Sequence, residues 1–295
     1  MKIFELNPDI GVTTRNNKQI SIAIGIFDGV HRGHVKLLNE SRLNNICTAV
    51  LTFYPHPKKE GKLIQSLRNR LYTLRTLGLN KAIVYTPLDN VLSLTAEEFV
   101  ENELIPLGVK HIYISGDFRL GRDRKTDAEG FKAICKDRGI SVNIVSPETD
   151  DGVKISSSDI RKCIANGDVQ KAGFLLGRPY SISGHVSRGR CIAKELGFRT
   201  ANIKPSKRLV IPKNGVYITK TTVDKKEYDS FTYVGTSPTL LSTEQVLVES
   251  HILGFDKNLY GKRIEVAFIK RLRDEIKFKS VEELVAAIKK DLKTS

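Results

Sequence analysis

The chain has 295 residues, 40% of them hydrophobic and 27% charged, a length and balance that suit two globular domains and exclude a low-complexity or disordered class. No apolar run approaches the roughly 18 to 20 residues that cross a bilayer, and MKIFELNPDI lacks the apolar core of a signal peptide, so a cytoplasmic protein with no membrane partner is expected. The formal net charge of +15 is spread along the chain, with 26 basic against 20 acidic residues in 1–180 and 22 against 13 in 181–295. Without a dense basic block, a surface that attracts small phosphorylated ligands is expected ahead of a nucleic-acid partner. Cys47, Cys135, Cys163 and Cys191 show no zinc or disulfide spacing and are expected to be reduced and buried.

In chain order, the first part alternates apolar runs with helical patterns: ISIAIGIF, VKLLNESRL, ICTAVLTF, the amphipathic SLRNRLYTLRTLG, KAIVYT, AEEFVENELI, KHIYIS, AEGFKAICKDRG and SVNIVS. Strands alternating with helices predict a doubly wound α/β domain, a parallel sheet covered on both faces. Thr95 and Glu98 have capping-box spacing, and Gly78 and Gly139 stand where helices should stop. After about residue 180 come YSISGHVSRG, GVYITKTTV, KEYDSFTYVG, EQVLVESHILGF and KRIEVAFIKRL, β-rich runs separated by turn residues. Short strands without intervening helices predict an antiparallel barrel or sandwich. SVEELVAAIKKDL, residues 280–292, predicts a terminal helix with Ser280 as N-cap. The domain boundary is placed at LLGRPY, giving domains 1–178 and 179–295.

The segment GIFDGVHRGH, residues 25–34, follows the first apolar run and precedes a helical pattern. Open α/β sheets bind ligands at such strand-to-helix turns. The helix N-terminus favours an anion, and glycines let the backbone approach a phosphate. His31 and His34, three apart, face the same anion from the first helical turn, and imidazole suits a phosphoryl or nucleotidyl transition state. The plainer alternative is two histidines in a turn. No GxxxxGK[ST] segment occurs, which excludes a P-loop kinase.

GIFDGVHRGH resembles the HxGH signature of nucleotidyltransferases and, in its fuller form GxFDGxHxGH, that of the bacterial bifunctional riboflavin kinase/FMN adenylyltransferase family. Thr52-Phe53-Tyr54-Pro55-His56-Pro57 is similar to that family's FxPHP segment, Asp117-Phe118-Arg119 to DFRFG, and Ile155 to Arg161 to ISSTxIR. The resemblance implies that ATP lies over Gly25, Phe27, Asp28 and Gly29, with its phosphates reached by His31, His34, Ser157, Ser158 and Arg161. The FMN phosphate would attack the α-phosphate and release pyrophosphate. It also implies flavin contacts from His56, Asp117 and Arg271.

From GRPYSISGHVSRG through GFRTAN, VGTSPT, ESH and RLRDEIKFKS, the rest resembles the family's riboflavin kinase module, a small β-barrel. This implies Thr200 and Asn202 as ligands of Mg²⁺ and phosphates, Gly189 at the ATP phosphates, and Glu249 as the base on the riboflavin hydroxyl. Hydroxyl and amide oxygens suit Mg²⁺, and a carboxylate suits the proton transfer. The chain departs from the family at Arg199 for proline, at Ala193 and Lys194 for Gly and Arg, at Gly254 for Asp, and at Tyr233 for Asn. Two readings stay open: a working kinase with a drifted loop, or an adenylyltransferase whose barrel is catalytically impaired. A third, of another class, is a basic nucleic-acid-binding or regulatory protein on a former enzyme scaffold. A monomer or weak homo-oligomer is expected.

Overall fold

The apolar runs ISIAIGIF, ICTAVLTF and KAIVYT become strands buried on both faces, as a helix-covered sheet requires. The computed structural model describes residues 2–5, 19–42, 46–55, 62–86, 93–187, 200–238 and 244–275. The chain divides into two units, Met1–Ser157 and Ser158–Ser295.

In the first unit the sheet is built from β1 (Lys2–Glu5), β2 (Ile20–Ile24), β3 (Cys47–Phe53), β4 (Lys81–Tyr85), β5 (Val109–Ser115) and, after the short ladder of β6 (Arg119–Leu120) with β7 (Thr126–Asp127), β8 (Ser141–Val145). The spatial order is β1-β4-β3-β2-β5-β8. Neighbours from β4 to β8 run parallel. β1 corrects the all-parallel expectation: it pairs antiparallel with β4 as an edge strand, where no crossover helix dictates direction. The chain steps from β2 outward to β3 and β4, then returns to β5 on the other side of β2. That reversal places a switch point at the carboxyl end of β2, where GIFDGVHRGH begins.

Alternation along the strands sends Ile22, Ile24 and Leu51 to one face and Ala23 and Val50 to the other. α1 (Arg32–Glu40) and α2 (Leu67–Thr76) cover the second face through Leu37, Leu38 and Leu74. α3 (Ala96–Phe99), continued by a π-helical turn over Val100–Leu104, and α4 (Ala128–Lys136) cover the first through Phe99, Leu104 and Phe131. Each such side chain contributes about 1.5–3 kcal/mol on burial. The Thr95–Glu98 capping box forms, and Gly78 and Gly139 adopt left-handed φ values of 79° and 66° after α2 and α4. The unit ends with the hairpin of β9 (Thr149–Asp150) and β10 (Val153–Lys154).

α5 (Ser157–Ala165) starts at the last residue of the first unit and belongs otherwise to the second. α6 (Val169–Leu176) follows, stops at the left-handed Gly177, and packs on β11 (Tyr180–Ser187) and β16 (Arg263–Arg273). With β12 (Thr200–Ile203), β13 (Gly215–Val223), β14 (Lys226–Pro238) and β15 (Glu244–Ile252), these form a closed antiparallel barrel in the order β11-β12-β15-β14-β13-β16. Closure removes both sheet edges. Its interior holds Tyr217, Val223, Val234, Val248, Val266 and Phe268, together with five buried hydroxyls. Thr219 Oγ1 lies 2.8 Å from both Ser230 Oγ and Thr232 Oγ1, and Thr221 Oγ1 lies 2.8 Å from Ser230 Oγ and 2.9 Å from Ser250 Oγ.

Cys47 and Cys135 are buried thiols, as expected, and burial pushes the Cys135 thiol up to about 12. Cys163 corrects the expectation: it is half-buried, because its side of α5 is only partly covered. Cys191, the terminal helix 280–292 and the loop with Arg199, Ala193 and Lys194 lie outside the described residues.

Candidate active sites

Between β2 and α1 the chain turns through three left-handed residues, Phe27 (φ 53°), Gly29 (φ 86°) and Val30 (φ 43°). For side-chain-bearing residues such a backbone costs about 1–3 kcal/mol each and persists only where the surroundings over-determine it. Here they do. Phe27 and Val30 are 1% and 0% exposed, both packed in the core on the α1 and α2 side. The Phe27 ring lies over Gly25, where a Cβ would approach it to 3.2 Å. Asp28, also buried, accepts from the N–H of Ile64 at 3.0 and 3.1 Å and of Gln65 at 3.2 Å. Ser157 Oγ donates to the Asp28 carbonyl at 2.9 Å. The side chains of Phe27 and Asp28 thus brace the turn from inside.

The histidines cap α1. His31 is its N-cap: the His34 N–H donates to His31 Nδ1 at 3.4 Å, and the His31 N–H donates to His34 Nδ1 at 3.3 Å. The rings stack with centroids 3.6 Å apart and 20° between planes, and the edge of His34 meets Phe27 at 5.2 Å. This is a reciprocal capping box with imidazoles where Ser or Thr and Glu usually stand. Its signal was the three-residue spacing itself, read from sequence as a shared anion contact. With both Nδ1 atoms accepting, a neutral imidazole carries its proton on Nε2, which remains its donor. Of the cations that follow, Arg32 reaches Glu148 at 3.1 Å and Lys36 donates to Ser146 Oγ at 3.2 Å.

Asp117 follows β5, the strand beside β2. It accepts from Ser115 Oγ at 2.7 Å and is ion-paired with Lys154 on β10. Burial alone would raise its carboxyl, but the hydrogen bonds from Lys154 and Ser115 outweigh that and hold it below the ordinary carboxylate value. Gly25 to His34 and Ser157 therefore converge within the first unit, with Asp117 at the carboxyl edge of the neighbouring strand. Ser158 is exposed and Arg161 half-buried on α5, both counted with the second unit. His56 and Gly189 lie outside the described residues.

In the barrel, Ala201 and Ile203 point inward and are buried, so Thr200 and Asn202 face out. Strand register does the rest. Asn202 pairs with Glu249, and Glu249 pairs on its other side with Tyr233, while Thr200 pairs with His251. Cross-strand partners share a face, so Asn202, Glu249 and Tyr233 form one row over three strands. These residues are half-buried. The Tyr233 hydroxyl donates to Glu275, and its ring folds back along β14 over Gly235, where a Cβ would stand 2.1 Å from the hydroxyl oxygen. Burial, the bond to Glu275 and the charges of Glu275 and Glu249 all push that phenol up. Sequence marked Tyr233 as a departure without showing these contacts, because strand pairing is non-local. Gly254 sits at a left-handed φ of 66°, a turn that glycine adopts freely.

Arg271, on β16, donates from Nη2 to the Asn214 carbonyl and to Asp274 Oδ1, both at 2.6 Å, and its guanidinium lies 6.0 Å from the Tyr217 ring centroid. It ties the end of β16 to the segment leading into β13. The outward oxygens of Thr200, Asn202 and Glu249 are hard donors of the kind Mg²⁺ takes beside substrate phosphates, so the donor set fits that ion.

A mostly parallel sheet with a capped, glycine-framed helix start at its switch point is a nucleotide-handling architecture, and a barrel with an outward row of oxygens suits phosphate transfer. Together they define an enzyme class with two phosphate-chemistry centres on one chain. Residues 13–159 match the family described as FAD synthetase, and residues 176–295 match that described as riboflavin kinase. The bifunctional riboflavin kinase/FMN adenylyltransferase of Buchnera aphidicola is 35% identical over 290 residues, covering 94% of this chain and 93% of that protein. Its counterpart in Bacillus subtilis is 34% identical over 290 residues, covering 92% and 89%. A crystal structure from Streptococcus pneumoniae, described as that of a macrolide-efflux protein, superposes with a TM-score of 0.85 at 31% identity over 97% of this chain and 95% of that one. That efflux description belongs to the other protein. Among the described residues here, no helix is long and apolar enough to cross a membrane. The chain belongs to the bifunctional riboflavin kinase/FMN adenylyltransferase family.

Proposed function

We propose that this chain makes FAD in two ATP-dependent steps, phosphorylating riboflavin in its barrel domain and adenylylating the resulting FMN in its N-terminal domain. The observation that carries this reading is family membership across both halves, 94% of the chain in one relative. In the first domain the Nε2–H groups of His31 and His34 donate to the α-phosphate as the FMN phosphate adds and pyrophosphate leaves, stabilising charge that grows in the transition state. The phosphates lie at the α1 N-terminus, over the backbone of Gly25 and Gly29. Phe27 and Asp28 act through the turn they brace. Ser158 and Arg161 enter on sequence grounds, through ISSSDIR, and His56, Asp117 and Arg271 enter as flavin contacts on the same grounds.

In the barrel, Glu249 takes the proton from the riboflavin hydroxyl as it attacks the γ-phosphate. Thr200 and Asn202 would hold Mg²⁺ with the ATP phosphates, and Gly189 enters as a phosphate contact on sequence grounds. Bound there, the ion would supply charge neutralisation at the transferring phosphoryl group. The domain division at 178/179 is part of the reading; it lies just inside the riboflavin kinase match, which begins at residue 176, and after the division of the two units at Ser157/Ser158. So are a cytoplasmic location and a monomeric or weakly self-associating state.

Chromatography of products from riboflavin, and separately from FMN, with ATP and Mg²⁺ tests it. Both substrates should end as FAD. FAD from FMN without FMN from riboflavin would reduce the protein to an adenylyltransferase, and no product from either would refute the enzyme.

A further inference from the structure

α2 buries an arginine. Arg70 is 0% exposed, on a helix whose other buried residue is Leu74. Its Nη1 donates to the Ile26 carbonyl at 2.7 Å and to Thr52 Oγ1 at 3.2 Å. Nε and Nη2 have no hydrogen-bond partner among the described residues. Burial pulls the guanidinium's affinity for its proton down, and the charge of Asp28 offsets part of that.

A buried guanidinium with unmatched donors is an expensive way to fill space. The contact it makes is partly redundant as a hydrogen bond, since Thr52 Oγ1 already donates to the Ile26 carbonyl at 2.8 Å. What Arg70 adds is direction. Ile26 precedes Phe27, the first left-handed residue of the turn, and fixing the Ile26 carbonyl fixes the peptide plane from which Phe27 departs. Two residues on, the Ile64 and Gln65 N–H groups hold Asp28. One short stretch, residues 64–70, therefore grips the turn on both sides of Phe27, and His31 follows directly.

We infer that Arg70 is a positioning residue for adenylyl transfer, locking the Ile26–Phe27 peptide so that the strained turn holds its backbone and the His31–His34 pair in reacting register. The inference rests on the adenylyltransferase reading above. It identifies a residue that touches no substrate and is retained at a cost in stability, the trade expected when rigidity serves chemistry. A displacement near 1 Å in a reacting geometry is worth about a hundredfold in rate, which sets the size of the effect.

The test uses the full chain and reads FAD from FMN, FMN from riboflavin, and thermal melting. Arg70→Met should lower kcat for FAD formation about a hundredfold, with KM for FMN changed less than about threefold. Riboflavin phosphorylation should be unchanged and the melting temperature undiminished, because the variant removes a desolvated charge. Arg70→Lys, which keeps a donor for the Ile26 carbonyl, should recover at least about a tenth of the wild-type rate. Unchanged FAD formation in Arg70→Met overturns the inference. So does a loss that follows a lower melting temperature and is not relieved by lysine. Should Arg70→Met fail to fold, Thr52→Val removes the shared hydroxyl at constant shape: a kcat loss of about fivefold or more supports the role, and none refutes it. Wild-type chain that makes no FAD from FMN would refute the activity itself, which distinguishes the two failures.

Discussion

The two centres are built on opposite plans. In the first unit, ten consecutive residues supply the turn, the cap and both imidazoles, and the rest of the unit braces them from below. In the barrel, Asn202, Glu249 and Tyr233 come from three strands and meet only because β12, β15 and β14 pair in one register. A contiguous motif keeps its geometry wherever its helix starts. A cross-strand row depends on pairing, and a slip of one residue would turn Glu249 into the barrel. The lesson is that drift in sequence endangers the second kind of site through its neighbours, even where each proposed ligand is retained.

Single changes should separate the two plans most sharply in rate. Glu249→Gln should lower FMN formation from riboflavin about 10²–10⁴-fold while FAD formation from FMN continues. His34→Ala should do the reverse, lowering FAD formation about 10²–10³-fold, and should also cost about 1 kcal/mol in thermal stability through the lost cap. Product chromatography with each substrate reads both, and a variant that loses both activities would show that the plans are not independent.

A smaller effect probes the row itself. Gly235→Ala places a methyl on the Tyr233 ring and hydroxyl and should destabilise the barrel by about 1–3 kcal/mol. Adding Tyr233→Ala should return most of that loss, a non-additivity expected only of residues in contact. Denaturant titration of the single and double variants checks it.

The smallest effect belongs to Asp117. Its carboxyl is lowered from 3.8 in the folded chain, so the stabilisation is present above the unfolded value and is lost as pH falls through the folded one. Lys154→Met should therefore cost stability above that window and nothing below it. The difference should be slight, since both partners are largely exposed, and denaturation midpoints measured across acid pH would reveal it.

Much of this was legible in the sequence for physical reasons. The helix-covered strands read as continuous apolar runs, and the barrel strands read as alternation. The switch-point loop announced itself through Gly25, Gly29 and the histidine spacing. β1 escaped notice because four residues carry too little pattern, and β12 because only Ala201 and Ile203 mark its inner face. The histidines' structural duty was hidden because imidazole is an uncommon cap. Arg70 was invisible in principle: on an amphipathic helix an arginine reads as a solvent-facing residue, and only the tertiary fold reveals that its stripe is the buried one.

The five hydroxyls inside the barrel carry a consequence for assembly. An interior lined only by aliphatic groups would tolerate strands sliding by two residues, since inward positions would still meet inward positions. In the native alignment of β13, β14 and β15, Thr219, Thr221, Ser230, Thr232 and Ser250 bond to one another. A two-residue slide of β15 along β14 would set Thr232 against Ile252 or Val248 in place of Ser250, stranding a hydroxyl at about 1–3 kcal/mol. The polar core thus works as a vernier for β14 and β15, favouring the alignment in which Asn202, Glu249 and Tyr233 stand in one row.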